Sequence, residues 1–382
     1  MILEDKAVAV VAGAAIGDAL GGSTESFSVE EIQNRFGGFV EGIEGPFYPD
    51  YENARPIAPF YKGDGHITDD TMMTESLISV YEKVRDHLDA FTFAEHIIPE
   101  LIEKKRYIPE MQKDALLIHR VYFAEKWLVQ RLHLGHVDPR EAGVGNMVNC
   151  GAAMYMAPVG IVNAGNPVAA YREAIEMSGS HQSSFGREAA GVFAACVAQA
   201  MTPGTTVDDV NEVAIDLAND GTKRAIIAVV KKAKELDSWR TGLAELRNAF
   251  KPFDTMADVY KIPGDDARKP SRLLSIEELP LAIGMVTVSN GDYRESVLGG
   301  VNYGRDSDSI ASMAGAITGA MCGASAIPED WWQTVERESK RDFTATGKLI
   351  AKLAHEIHHK DQERARKVAE NQKSLFSQTV LA

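Results

Sequence analysis

The chain has 382 residues, of which 45% are hydrophobic and 25% charged, the balance of an ordinary globular protein long enough for one large domain or two smaller ones. A formal net charge of −15 argues against nucleic acid and anionic membrane as main partners, because phosphate-rich surfaces are bound by a surplus of Lys and Arg. The three cysteines, Cys150, Cys196 and Cys322, lack C-x-x-C spacing and read as small buried hydrophobes of a reducing compartment rather than a disulfide framework.

Residues 7–17 form an apolar run, but Glu4, Asp5 and Asp18 around it carry the wrong charge for a secretory leader, so a helix over 5–20 and a cytoplasmic location are expected. Residues 37–66 follow, rich in Gly, Pro and aromatics (Phe47, Tyr48, Tyr51, Phe60, Tyr61). A connection of that length is expected to act as a lid or pocket rim. The helical period then returns over 70–87, 93–104, 114–132, 168–177, 186–201, 207–219 and 223–236. His133 and His136 are the one close histidine pair, in a loop without a nearby cysteine, and make a poor zinc site.

A Pro/Gly/charge-rich excursion covers 250–275, and further helices are expected over 277–289, 292–300, 308–324, 329–338 and 343–371. Residues 310–327 carry no charge, yet they are mostly Ala, Gly, Ser and Met. They read as a closely packed core helix, not a membrane span. The paired Trp331-Trp332 reads as core near a helix start, and from Asp361 onward the chain is a polar tail, a solvated helix or a frayed end. Strand alternation is sparse and no repeat of fixed period is present, so the expected fold is all-α.

Two acidic clusters carry the chemistry: Thr68-Asp69-Asp70-Thr71 and Asp306-Ser307-Asp308-Ser309. Each opens a helical stretch, and Asp, Ser and Thr are favoured N-caps, so either cluster alone reads as a cap. Capping, however, needs one such residue and not a pair each time. Four carboxylates drawn together repel unless cations lie between them, and an oxygen-only donor set suits hard ions, Mg²⁺ or Mn²⁺. A binuclear centre serving a hydrolase is the natural use.

With these clusters in view, Gly17-Asp18-Ala19-Leu20-Gly21 followed by Glu25, Gly151-Ala152-Ala153-Met154 with Pro158-Val159-Gly160, Ser180-His181, and Gly304-Arg305-Asp306-Ser307-Asp308-Ser309-Ile310-Ala311 with Gly315-Ala316 become legible. In this order, from about residue 8 to residue 325, they resemble the ADP-ribosylglycohydrolase family, which includes dinitrogen reductase-activating glycohydrolase and the ADP-ribosylhydrolases. The resemblance implies an orthogonal multi-helix bundle with two Mg²⁺ or Mn²⁺ in a central cleft. It also implies one such domain over 1–360, with extra length between about 220 and 275 and the tail 361–382 beyond it. Carried over position by position, the metal ligands are Thr68, Asp69, Asp70, Asp306, Asp308 and Ser309, with Ser309 standing where Thr is more common.

Glu25, Asp69 and Asp308 are then the candidate catalytic carboxylates, with Asp308 or Glu25 as base, and Gly151, Tyr155, His181, Tyr303 and Arg305 the candidate substrate contacts. Gly151 would offer a backbone N–H, His181 would meet a phosphate or ribose oxygen or else serve as a structural hydrogen-bonder, and Tyr155 and Tyr303 would stack on a base or belong to the ordinary core. The chain departs from the family where Cys150 and Tyr155 replace Asn and Arg, and where Arg305 stands at a position commonly Gly, there to narrow the pocket or meet a phosphate. The implied activity is removal of ADP-ribose from a modified protein side chain by attack of a metal-activated water on an N- or O-ribosyl bond. A small ribosyl metabolite, such as a nucleoside or a free ADP-ribose derivative, is the alternative substrate. A bulk structural role, like that of a related lens crystallin, would not need all six oxygen ligands.

Overall fold

The computed structural model describes residues 2–53, 61–254 and 275–376. It is all-α, as expected. In chain order the helices are α1 (Ile2–Gly21), α2 (Val29–Phe36), α3 (Asp69–Val84), α4 (Ala90–Ile102), α5 (Phe123–Leu128), α6 (Ala157–Val162), α7 (Pro167–Ser178) and α8 (Ser184–Ala200). They continue with α9 (Val207–Leu217), α10 (Asp220–Ala233), α11 (Trp239–Phe250), α12 (Ser275–Val288), α13 (Tyr293–Tyr303), α14 (Ser307–Cys322), α15 (Glu329–Ser339) and α16 (Phe343–Phe376).

The pair α1 and α14 forms the centre of the bundle, and small residues at every fourth position explain why. Along α1 these are Ala9, Gly13, Gly17 and Gly21, and they meet Gly319, Gly315, Ala311 and Asp308 of α14 in turn, an antiparallel register. A Cβ on Gly17 would fall inside van der Waals contact of the Ala311 carbonyl oxygen, and one on Gly13 would lie 2.5 Å from that of Gly315. Backbones approach this closely only without side chains between them. The register sets the C-terminal end of α1 against the N-terminal turn of α14, which is where the acidic clusters lie. Gly17→Val is therefore expected to destabilise the chain by about 1–3 kcal/mol or more through overpacking against backbone; chemical denaturation measures it, and an unchanged midpoint would mean that the two helices separate freely.

Ser307 to Ala320 of α14 are buried throughout, as the core reading of its uncharged run requires. Among the described residues no helix is long and apolar enough to cross a membrane. Trp331 is buried as expected, with the Arg294 guanidinium 5.5 Å from its ring centroid.

The helix expected over 114–132 is corrected. Residues Lys105–Ile108 (β1) and Lys113–Leu116 (β2) pair as an antiparallel hairpin with Ile108 opposite Lys113. A 3₁₀ turn at Leu117–His119 follows, and α5 begins only at Phe123. Pro109 cannot continue a helix and Gln112 takes a left-handed φ of 53°, so the chain turns back on itself and the pairing partner, not the local period, decides. Helix α2 was not expected from its apolar period, but Ser28 and Glu31 form a capping box and Gly37, at φ 77°, ends it. The described part of 37–66 carries no regular structure beyond a turn at Tyr51–Asn53. Phe47, Tyr48 and Tyr61 gather around Phe27, with Phe47 stacked on it at 3.4 Å between centroids. Residue Phe60 and most of the 250–275 excursion lie outside the described residues.

The polar stretch beyond residue 360 continues α16 and is tied to the bundle. His87 bridges Glu173 at 2.6 Å and Asp361 at 2.8 Å, while Arg364 reaches Asp86 at 2.6 Å. Burial lowers the His87 pKa, but its two carboxylate partners outweigh that and raise it to about 9. The unfolded value is about 6.5, so the stabilisation from charged His87 is complete below pH ~6.5 and lost as pH rises through about 9. Thermal melts from pH 6 to 10 are expected to fall across that window more steeply in the wild-type chain than in His87→Gln, and parallel curves would remove the bridge from the account.

Candidate metal centre

Three helix ends meet at the site: the C-terminal turn of α1 and the N-terminal turns of α3 and α14. Asp18 of α1 is completely buried and works as a clamp. Its carboxylate accepts from the Thr68 backbone N–H at 3.0 Å, the Thr68 hydroxyl at 2.5 Å, the Thr71 N–H at 3.1 Å and the Thr71 hydroxyl. Burial raises the Asp18 pKa to about 6 against the pull of those donors. Fixed in this way, Thr68 is the N-cap of α3, its Oγ1 accepting from the Asp70 N–H at 3.4 Å and lying 3.4 Å from Asp308 Oδ2.

Asp306 occupies the N-cap position of α14 but makes no capping hydrogen bond with its side chain. Capping therefore does not account for the second cluster. The carboxylates of Asp306, Asp308 and Glu25 come within 4.8 Å of one another. Asp70 is buried, its Oδ1 has no hydrogen-bond partner among the described residues, and its pKa is pushed well up, first by burial and then by Asp18, Asp69 and Asp306. Asp308 is raised likewise by burial and by Glu25, Asp70 and Asp306. An unpartnered buried carboxylate oxygen amid like charges is the situation a divalent cation relieves, and the donors offered are the hard oxygens that Mg²⁺ and Mn²⁺ take. The residues present fit the group.

One wall of the site was not anticipated. Arg120, from the turn after the hairpin, is 1% exposed; its Nη1 donates to Asp69 Oδ1 at 2.8 Å and its Nε to Glu110. Burial raises Glu110 to about 7 despite Arg120, and raises Glu125, aided by the Asp69 charge, to about 8. Nothing in the local sequence marks these residues, because the hairpin that carries Arg120 across to Asp69 was read as helix. Asp18 did carry a signal, a charge interrupting an apolar run.

The candidate substrate contacts sit deeper than expected. The Gly151 N–H donates to Asn149 Oδ1 at 3.1 Å, and a Cβ on Gly151 would strike the Glu125 carboxylate. Tyr155 and His181 are fully buried: the Tyr155 hydroxyl is 2.9 Å from His181 Nδ1, and His181 Nε2 is 3.0 Å from the Ala124 carbonyl oxygen. With Nε2 donating to that carbonyl, Nδ1 accepts from Tyr155, and burial lowers the His181 pKa to about 4. The Tyr303 hydroxyl donates to Glu277 at 2.7 Å, and Arg305 Nε donates to the other Glu277 oxygen at 2.8 Å, with Nη2 3.4 Å from Asp254. Neither tyrosine presents an open face for stacking, and the Arg305 guanidinium is turned into a buried acidic pocket. Arg305 has φ 60°, a left-handed backbone that gives glycine its usual advantage at such a position. Cys150 meets the second cluster, its Sγ 2.9 Å from Asp306 Oδ2 and 3.3 Å from Ser309 Oγ.

Residues 1–367 match the family model described as ADP-ribosylglycohydrolase, nearly the whole chain. The chain belongs to the ADP-ribosylglycohydrolase family. That membership makes it a glycosyl hydrolase at the level of the family. A solved structure titled "ADP-ribosylglycohydrolase-related protein complex" shares the fold, with a TM-score of 0.57 at 19% identity over 92% of this chain and 99% of that one. An uncharacterized protein of Archaeoglobus fulgidus is 27% identical over 93% of this chain and 98% of its own length. The uncharacterized protein YegU of Escherichia coli K12 is 24% identical over 89% and 94% respectively.

Proposed function

We propose that this ADP-ribosylglycohydrolase family member hydrolyses an N- or O-ribosyl bond, removing ADP-ribose from a modified side chain. The observation that carries the reading is that Asp306, Asp308 and Glu25 come within 4.8 Å of one another, with the charge of Asp306 also acting on buried Asp70, whose Oδ1 has no hydrogen-bond partner among the described residues. Thr68, Asp69, Asp70, Asp306, Asp308 and Ser309 would hold two hard divalent cations, Mg²⁺ or Mn²⁺. Bound there, these supply positive charge for ribose hydroxyls and acidify a water.

The protein's own groups do the rest. Asp18 holds Thr68 in place, and Arg120 holds Asp69. Glu25, beside Asp306 and Asp308 and partly exposed, would take the proton from the attacking water as its oxygen joins the anomeric carbon. The bond to the leaving group breaks through an oxocarbenium-like state, which the surrounding carboxylates stabilise, and the leaving atom keeps the electron pair and takes a proton from solvent.

A small ribosyl metabolite as substrate is supported by one specific observation. Arg305, the cation expected to meet a phosphate, is paired with Glu277 and Asp254. The test is mass-spectrometric: ADP-ribosyl-arginine and a panel of ribonucleosides are incubated with the protein in Mg²⁺ or in a chelator. Metal-dependent release of ADP-ribose is the expected result. Release of ribose or base from the nucleosides alone would move the activity to small metabolites, and turnover undiminished by the chelator would overturn the metal reading.

A further inference from the structure

We propose that Cys150 Sγ, the Glu278 carboxylate and Asp306 form a site for a thiophilic divalent cation of the zinc and cadmium class, adjoining the oxygen-only centre and sharing Asp306 with it. The proposal goes beyond the hydrolytic reading, since hard ions gain nothing from a sulfur ligand.

Three observations place it. The ligand atoms of Cys150, Glu278 and Asp306 lie within 4.8 Å of one another. They come from three separate parts of the fold: the 3₁₀ turn Cys150–Ala152, the first turn of α12 and the start of α14. Glu278, moreover, is completely buried, and neither of its carboxylate oxygens has a hydrogen-bond partner among the described residues. Its sequence neighbour Glu277 takes the nearby cation: Arg305 donates to Glu277 at 2.8 Å, leaving Glu278 aimed at the thiol and at Asp306.

A buried carboxylate without hydrogen-bond donors is costly, and a bound dication removes that cost more completely than the Cys150 thiol, which donates to Asp306 at 2.9 Å. One sulfur and two carboxylate oxygens suit Zn²⁺ or Cd²⁺ in distorted tetrahedral geometry, with a water or the Ser309 hydroxyl, 3.3 Å from Cys150 Sγ, as a fourth donor. On binding, the sulfur–metal bond replaces the S–H bond and its proton leaves to solvent. Asp306 is partly exposed and gives an entry path.

The test uses the full chain in a Cys322→Ser background, which removes the exposed thiol. Metal-free protein is titrated with Cd²⁺ under anaerobic conditions, and ultraviolet absorption is followed for sulfur-to-metal charge transfer. The expected result is a band that saturates at one ion per chain, is absent in Cys150→Ser, and has its midpoint weakened at least about tenfold in Glu278→Gln. No band, an unaltered band in Cys150→Ser, or an unshifted midpoint in Glu278→Gln would each overturn the proposal; Glu278→Gln alone decides if the serine variant does not fold. Mg²⁺-induced thermal stabilisation, measured in parallel, reports on the oxygen-only centre. Its absence in the presence of a sulfur band would sink that centre and leave the thiolate site standing.

Discussion

Arg120→Ala is expected to destabilise the folded chain by about 3–5 kcal/mol, the range for breaking a buried ion pair by removing one partner. Arg120 is 1% exposed and serves two carboxylates at once, Asp69 through Nη1 at 2.8 Å and Glu110 through Nε. Truncation leaves both behind, with the Asp18 and Asp69 charges already raising Glu110. The loss should therefore exceed what the missing packing of one long side chain would give. Two further variants separate the contributions. Arg120→Lys keeps a charge but not the fork that reaches both partners, and should fall between wild type and alanine. The double change Arg120→Met with Glu110→Leu removes one stranded carboxylate and should recover much of the loss. Urea denaturation monitored by circular dichroism reads all three. A deficit under about 1 kcal/mol for Arg120→Ala would mean that water reaches the pair and that Asp69 is held by other groups.

The relation between sequence and site follows from how far apart the interacting residues lie. The acidic clusters are legible because each is local, four residues opening a helix, and because paired carboxylates exceed what capping requires. Helix α14 is legible in part, because its uncharged run of Ala, Gly, Ser and Met marks close packing, but nothing in that run names α1 as its partner, which only the antiparallel register shows. The wall built by Arg120, Glu110 and Glu125 was not legible. Arg120 reaches Asp69 only because Pro109 and Gln112 turn the chain into a hairpin, and a helical period through Ala115–Leu128 hides that turn. Tyr303 and Arg305 illustrate a second limit. Residue type suggested stacking for Tyr303, and Arg305 stands where the family commonly has Gly, yet Glu277 of α12, 26 and 28 residues earlier, takes both. Which partner a buried polar side chain finds is a three-dimensional competition, and the residue type alone does not rank the competitors.

Asp306→Ala with Asp308→Ala is expected to lower hydrolysis by roughly a thousandfold or more, the kinetic equivalent of several kcal/mol of lost electrostatic stabilisation. Activity alone would not distinguish lost chemistry from lost folding, and the charge arrangement supplies a sharper signature. In the metal-free wild-type chain Asp70 and Asp308 are driven well above the usual carboxylate range, by burial first, then Asp70 by Asp18, Asp69 and Asp306, and Asp308 by Glu25, Asp70 and Asp306. Removing two of these carboxylates relieves repulsion, so without metal the double variant should melt at the wild-type temperature or above it. With metal the order reverses. A cation that binds only the folded state adds about 2.7 kcal/mol when present at about a hundredfold over its Kd, and that increment belongs to the wild type alone. Differential scanning calorimetry with and without Mg²⁺ therefore gives a crossing pattern. A double variant that is less stable than wild type without metal would show that these carboxylates act as structural acceptors. A Mg²⁺ increment equal in both proteins would place the cation elsewhere.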